Sequence, residues 1–302
     1  MRAIKKALRR LIGRVWSAID RRVQASRRGP ERVARTIAPI DDLPSQSALV
    51  VIAHPDDDVI SSGALLARLP RAGVVWVTDG APRKGSFAQE AGFDNWPDYG
   101  LARRREAEAA LALLQRELSP MYNLGIADRD AVFDVVALTH ALMKPLKSGF
   151  KYVITHAYEG GHPDHDATAL GVHAACALIA RAGGTPPTII EAPLYNSPGG
   201  EFTTQTFLPH PDAGPTLGFN LSAQQQDLKR RMYLAHASQR SLLQDFRINT
   251  ESFRVAPRYH FTSVPHPGDV GYNEFHWQIT GRRWRNRVWR TLHELDLVRE
   301  LA

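Results

Sequence analysis

Three short segments of this 302-residue chain bring histidine and carboxylate residues close enough together to do chemistry. The first is Ala53-His54-Pro55-Asp56-Asp57-Asp58 and the second Thr78-Asp79-Gly80. The third runs from His156 through Glu159, Gly160 and Gly161 to His162-Pro163-Asp164-His165. Three consecutive aspartates in one interior loop repel one another unless a cation neutralises them. A divalent metal does so, and two histidines plus one carboxylate with open positions is a donor set used by both zinc hydrolases and non-haem iron sites. Hydrolysis at such a metal needs two more groups: a carboxylate beside the water, and a histidine that stabilises the oxyanion and protonates the leaving group. The two His-Pro-Asp segments hold one of each beyond the ligands. The competing reading is a hydrogen-bonded turn cluster whose aspartates cap helices. His54 and Asp57 are three apart and can both turn toward one ion while Asp56 faces the water, but spacing alone leaves either Asp56 or Asp57 as the ligand.

These segments need elements to position them. Each follows a short apolar run rich in β-branched residues: Ser47 to Ala53, Val74 to Thr78, and Tyr152 to Thr155, with a fourth run at Thr188 to Glu191. Such runs suit strands buried on both faces of a parallel sheet. Helical patterns lie between and after them at Val59 to Leu69, 102 to 118, Val132 to Lys147 and 167 to 182. The alternation predicts a doubly wound α/β domain, a Rossmann-like three-layer sandwich with a mostly parallel sheet. In open sheets of this kind ligands bind beyond the carboxyl ends of the strands, which is where the three segments fall. The Pro/Gly-rich stretch from 195 to 220 reads as a long loop, and helices are expected at 222 to 246 and near 283 to 301.

Charge divides the chain. Residues 1 to 36 hold 12 Lys and Arg against Asp20 and Glu31, a net of +10; residues 281 to 302 carry +3; the remainder carries −6. A basic nucleic-acid-binding body is therefore disfavoured. Ile4, Leu8, Leu11, Val15, Ile19 and Val23 form an apolar stripe among the N-terminal arginines and lysines, so 1 to 40 reads as a basic amphipathic helix and linker, and 41 to 302 as the catalytic domain. The stripe and Trp16 suit peripheral contact with an anionic membrane through residues 1 to 24; a transit peptide or a helix docked on the acidic body shares the pattern. No run reaches the ~20 apolar residues of a spanning helix, and no signal-peptide core is evident, so a cytoplasmic chain, peripheral at the inner membrane surface, is expected. The single Cys176 rules out an internal disulfide and a cysteine-rich zinc site, and reads as a buried thiol. His210-Pro211-Asp212 reads as a turn. Trp284 and Trp289, flanked by arginines, read as core or as a surface contact.

His54-Pro55-Asp56-Asp57 ahead of a helix, followed about a hundred residues later by Gly161-His162-Pro163-Asp164-His165, resembles the PIG-L/LmbE-like metal-dependent de-N-acetylases. Thr78-Asp79-Gly80, Arg103-Arg104 before Glu106, Gly125 to Asp128, and Lys229 with His236-Ala237-Ser238-Gln239 occur in the family's order. The resemblance implies that His54, Asp57 and His165 bind the metal, Zn²⁺ or Fe²⁺, that Asp56 is the general base, and that His162 stabilises the oxyanion and serves the departing amine. Asp79, Arg103 and Asp128 fall where family members contact or frame the substrate. The implied activity is removal of an N-acetyl group from a GlcNAc-containing glycan or glycoconjugate, with a small-molecule or lipid-linked amino sugar as partner. The alternatives are an amidase for another N-acylated small molecule and an inactive membrane-associated sugar-binding protein. The chain differs from the usual family pattern at Asp58, where Glu is common, and at Gly160, where some members carry Tyr.

Overall fold

The computed structural model describes residues 40–274 and 279–302. The basic N-terminal helix, its linker and His276 lie outside the described residues. Seven strands form one sheet: β1 (Ala48–Ile52), β2 (Ala72–Pro82), β3 (Met121–Asp128), β4 (Tyr152–His156), β5 (Thr188–Ala192), β8 (Leu217–Asn220) and β9 (Thr250–Val255). Two-residue strands β6 (Tyr195–Asn196) and β7 (Thr203–Thr204) pair separately. The order is β3-β2-β1-β4-β5-β9-β8, parallel from β3 to β5 and antiparallel at β9 and β8.

The six principal helices are α1 (Asp57–Leu66), α2 (Trp96–Ala112), α3 (Val135–Leu146), α4 (Pro163–Arg181), α5 (Ala223–Ala235) and α6 (Gly281–Glu294). Side-chain alternation along the strands assigns them to two faces. Leu49, Val51, Val75, Val77 and Val153 pack with residues of α3, α4 and α6. Val50, Ile52, Val74, Trp76, Ile154 and Ile190 pack with residues of α1, α2 and α5. Both faces of the central strands are thus apolar, which is why they read as continuous runs without polar alternation.

The chain leaves β1 toward β2 and β3 on one side, then returns to add β4 and β5 on the other. The order reverses between β1 and β4, which are hydrogen-bonded neighbours. Loops leaving adjacent strands at such a switch point diverge and open a crevice. Here those two loops are the His54–Asp58 and His156–His165 segments.

The sequence expectation differs from the structure mainly at the sheet margins. β3 has one partner strand and a partly exposed face, and Gly125 takes a φ of +71° within it, so Met121–Asp128 shows neither a buried run nor clean alternation. The 195 to 220 stretch is loop except for β6, β7 and β8. α4 begins at Pro163, four residues before its predicted start, because the His-Pro-Asp segment supplies its N-terminus.

A buried ion pair holds α1 from behind. Lys229 on α5 donates to Glu251 on β9 (2.8 Å) and to the Ile60 carbonyl (2.8 Å), while Glu251 accepts from the Ala64 and Leu65 amides. Removing one partner of a buried pair leaves an uncompensated charge, so Lys229→Met is expected to destabilise the chain by about 3–5 kcal/mol. Urea denaturation would read it; a loss below about 1 kcal/mol would contradict the role assigned to this pair.

Candidate metal centre

α1 starts directly behind β1, and its first turn carries Asp57 and Asp58 where the helix dipole favours negative charge. α4 starts behind β4 with His162 as its N-cap: the Asp164 amide donates to His162 Nδ1 at 3.1 Å. Two helix starts thereby face each other across the switch point, and His54, Asp56, Asp57, His162 and His165 are all buried there.

Three donor atoms converge. His54 Nδ1 lies 3.1 Å from Asp57 Oδ2 and 3.2 Å from His165 Nε2, and His165 Nε2 lies 3.4 Å from Asp57 Oδ2. Tetrahedral coordination with bonds of about 2.0–2.1 Å sets ligand atoms about 3.3–3.4 Å apart, so this triangle has nearly the edge lengths of three corners around one ion. The carboxylates Asp57 and Asp128 raise the proton affinity of His54 well above that of an ordinary imidazole although burial opposes it; burial likewise opposes the ionisation of Asp57, yet His165 and His54 hold it well below the usual carboxylate range. The pocket calls for positive charge, and a divalent cation fits it.

Groups that the sequence reading did not assign complete the setting. Asp164 Oδ2 lies 3.3 Å from His54 Nε2, and the same carboxylate accepts the Arg129 and Ala131 amides. Once Nε2–H is given to Asp164, the Nδ1 lone pair of His54 is directed toward Asp57 and His165. His156 also lies near, with Nε2 3.5 Å from Asp57 Oδ2, but that nitrogen accepts the Ala53 amide at 2.8 Å. Its lone pair is spent, and the ring instead stacks on His165 with centroids 4.1 Å apart. Both residues stand in the quoted segments, but nothing in their spacing separates a donor to a ligand from the ligand itself.

Asp56 has its own partner outside the triangle. Its Oδ2 accepts from Arg103 Nη2 at 2.8 Å, and Arg103 Nη1 donates to the Gly80 carbonyl at 2.6 Å. Burial raises the Asp56 carboxyl above its ordinary value against the pull of Arg103. Gly80 has a φ of +68°, and a Cβ there would stand 2.5 Å from the guanidinium. The Thr78-Asp79-Gly80 turn therefore serves to bring a carbonyl to Arg103. Asp79 itself is outside the buried cluster, its carboxylate paired with Arg83 at 2.5 Å and bonded to the Ala81 amide. Asp128 is inside it, with Oδ1 3.5 Å from His54 Nε2 and 3.7 Å from His162 Nε2.

Asp58 turns from the centre to accept the Trp76 indole N–H at 3.2 Å, and burial pushes its carboxyl up to about 7. No tyrosine fits at Gly160: φ is +72°, and a Cβ would meet Pro265 and Val270 at 2.9 Å. Its neighbours do not replace one, since the Tyr158 hydroxyl donates to the Ser263 carbonyl and Glu159 accepts from the Leu194 and Tyr195 amides.

His236 is fully buried, and neither ring nitrogen has a hydrogen-bond partner among the described residues. Burial, aided by Arg103, lowers its pKa to about 3. The folded value lies below the unfolded one of about 6.5, so this contribution to stability is present above that pH and is lost as pH falls toward 3. At pH 5 the loss is about 2 kcal/mol, and His236→Gln is expected to flatten the denaturation-midpoint profile between pH 7 and 5. An unchanged profile would remove His236 as its source.

The model of the PIG-L family, described as GlcNAc-PI de-N-acetylase, matches residues 49–176. No curated protein matches the chain by sequence. Among solved structures, the fold is similar to a deacetylase of the teicoplanin biosynthesis pathway (TM-score 0.54, 18% identity, 69% of this chain and 96% of that one). It is also similar to a zinc-inhibited form of teicoplanin deacetylase (0.51, 17%, 69% and 97%) and to the N,N'-diacetylchitobiose deacetylase of Pyrococcus horikoshii (0.50, 17%, 75% and 89%).

Proposed function

We propose, from the PIG-L family domain that this chain carries, that it is a metal-dependent hydrolase of N-acyl amides, with the N-acetyl group of an amino sugar as the bond attacked. The observation that carries this reading is the division of labour among the aspartates: Asp57 Oδ2 sits in the donor triangle while Asp56, one residue earlier, is held by Arg103. His54, Asp57 and His165 would hold the ion, Zn²⁺ or Fe²⁺. Bound there, a divalent ion acidifies water and polarises a carbonyl.

The protein's own groups do the rest. Asp56, its basicity raised by burial, takes a proton from the attacking water, and Arg103 fixes which oxygen is free to do so. His162 accepts a backbone N–H at Nδ1, so its neutral ring carries the proton on Nε2 and presents a donor toward the developing oxyanion. Burial keeps His162 neutral. With Nδ1 occupied, the ring cannot easily become the cation that would protonate the amine, and the proton held by Asp56 is the better source. Asp128 lies beside His162 Nε2 and His54 Nε2, and its role in this reading is to frame the substrate.

A pure sugar-binding protein needs neither Asp56 nor His162 placed in this way. The similarity to teicoplanin and N,N'-diacetylchitobiose deacetylases supports acyl amino sugars as the first substrates to try. The test is amine release by the purified chain from a panel of N-acetylated amino sugars and glycoconjugates, loaded separately with Zn²⁺ and Fe²⁺. One fold neighbour is known in a zinc-inhibited form, so zinc should be titrated to stoichiometry and not supplied in excess. Release from at least one acetylated sugar is expected; none with either metal would overturn the deacetylase reading.

A further inference from the structure

α6 presents a surface that hydrolysis does not use. Gly281, Trp284, Val288, Thr291 and Leu292 bury one side of it, and Trp284 donates its indole N–H to Tyr158. The opposite side exposes Arg282, Arg283, Asn286 and Arg290, with Arg285 and Arg287 half-buried beside them. Among the described residues, Arg282, Arg285 and Arg290 form no ion pair. Arg287 lies over the Phe133 ring at 4.4 Å, and a concavity of about 260 Å³ is lined by Phe133, Arg283, Asn286, Arg287 and Arg290. On the other flank Trp289 is 47% exposed, its ring held edge-on by His293 with centroids 4.7 Å apart. The two tryptophans of this helix thus have opposite fates, one in the core and one on the surface.

We propose that this face of α6 docks on an anionic phospholipid surface, with the arginines on headgroup phosphates and Trp289 at the headgroup level. An extended cationic face flanked by an exposed indole is what an interfacial helix offers a membrane. Charge decides among the occupants. The N-terminal 36 residues are themselves strongly basic, at +10, and would be repelled by this face. The same charge makes them a second basic element of one chain, and stable peripheral anchoring takes two signals. A nucleic acid would satisfy the arginines and stack a base on the indole, but the net charge of −6 over residues 37 to 280 repels a polyanion that extends beyond this face. The proposal does not depend on the hydrolytic reading, because no residue of the face belongs to the candidate metal centre.

The experiment uses the full chain with vesicles of phosphatidylcholine alone and of phosphatidylcholine mixed with phosphatidylglycerol. Partitioning is expected only into the mixed vesicles. The combined variant Arg282→Gln, Arg283→Gln, Arg290→Gln should partition about 100-fold more weakly, at roughly fivefold per arginine near the surface. Brominated lipid should quench a fluorescence component that disappears in Trp289→Phe, which separates this face from the basic leader. Hydrolysis of a water-soluble substrate should be the same in all these variants. Any of three results would overturn the proposal: equal partitioning into neutral vesicles, quenching unchanged by Trp289→Phe, or a single-stranded oligonucleotide bound through the same arginines while vesicles are not.

Discussion

Replacing Asp56 by Asn is expected to lower the rate of amide hydrolysis by about 10²–10⁴-fold, the usual contribution of a positioned general base, without loss of metal. The amide is nearly isosteric and can still accept from Arg103 Nη2 through its oxygen, so the 2.8 Å contact that orients the group can survive. What disappears is the lone pair that takes the proton. Metal content after dialysis and the denaturation midpoint act as controls, because Asp56 is not a corner of the donor triangle. A variant retaining near-full turnover would remove Asp56 from the mechanism; a variant that loses its metal would mean that Asp56 and not Asp57 is the ligand.

His165→Ala is the second large effect. It removes one corner of the triangle formed with His54 Nδ1 and Asp57 Oδ2 and the ring that His156 stacks against. A site of two donors holds a divalent ion poorly, so bound metal should fall below stoichiometry and activity should drop to background. The variant also distinguishes His165 from His156, since each lies within 3.5 Å of Asp57 Oδ2. His156→Gln should keep measurable metal, because its nearer nitrogen already accepts the Ala53 amide. If His156→Gln loses the ion as completely as His165→Ala, the assignment of donors must be revised.

How far the sequence could be read follows from where each residue sits. β1, β4 and β5 are interior strands, so their apolar runs are continuous, and the residues after β1 and β4 fall at the crevice that parallel order requires. β3 has no legible pattern because it pairs on one side only and takes a left-handed conformation at Gly125. β9 has no legible pattern because Glu251 and Arg254 point their charges into buried partnerships with Lys229 and Glu191, which a hydropathy pattern registers as exposure. In the centre, residue types and the family resemblance singled out His54, Asp56, Asp57, His162 and His165, and the structure brings all five together. The hold of Arg103 on Asp56 spans 47 positions and that of Asp164 on His54 spans 110, so neither has a local spacing to betray it. Asp79 shows the opposite: a motif residue whose carboxylate is occupied by Arg83, while the neighbouring carbonyl of Gly80 carries the useful contact.

The reversal of strand order between β1 and β4 has a bearing on how the protein is made. His54 and Asp57 leave the ribosome more than a hundred residues before His165, the third donor of the proposed site, which follows β2, β3 and α3. Two donors bind weakly, so the nascent chain has little hold on an ion until β4 has docked beside β1 and α4 has begun. With the proposed ligand set, metal capture would come late in synthesis, once the two halves of the sheet have joined.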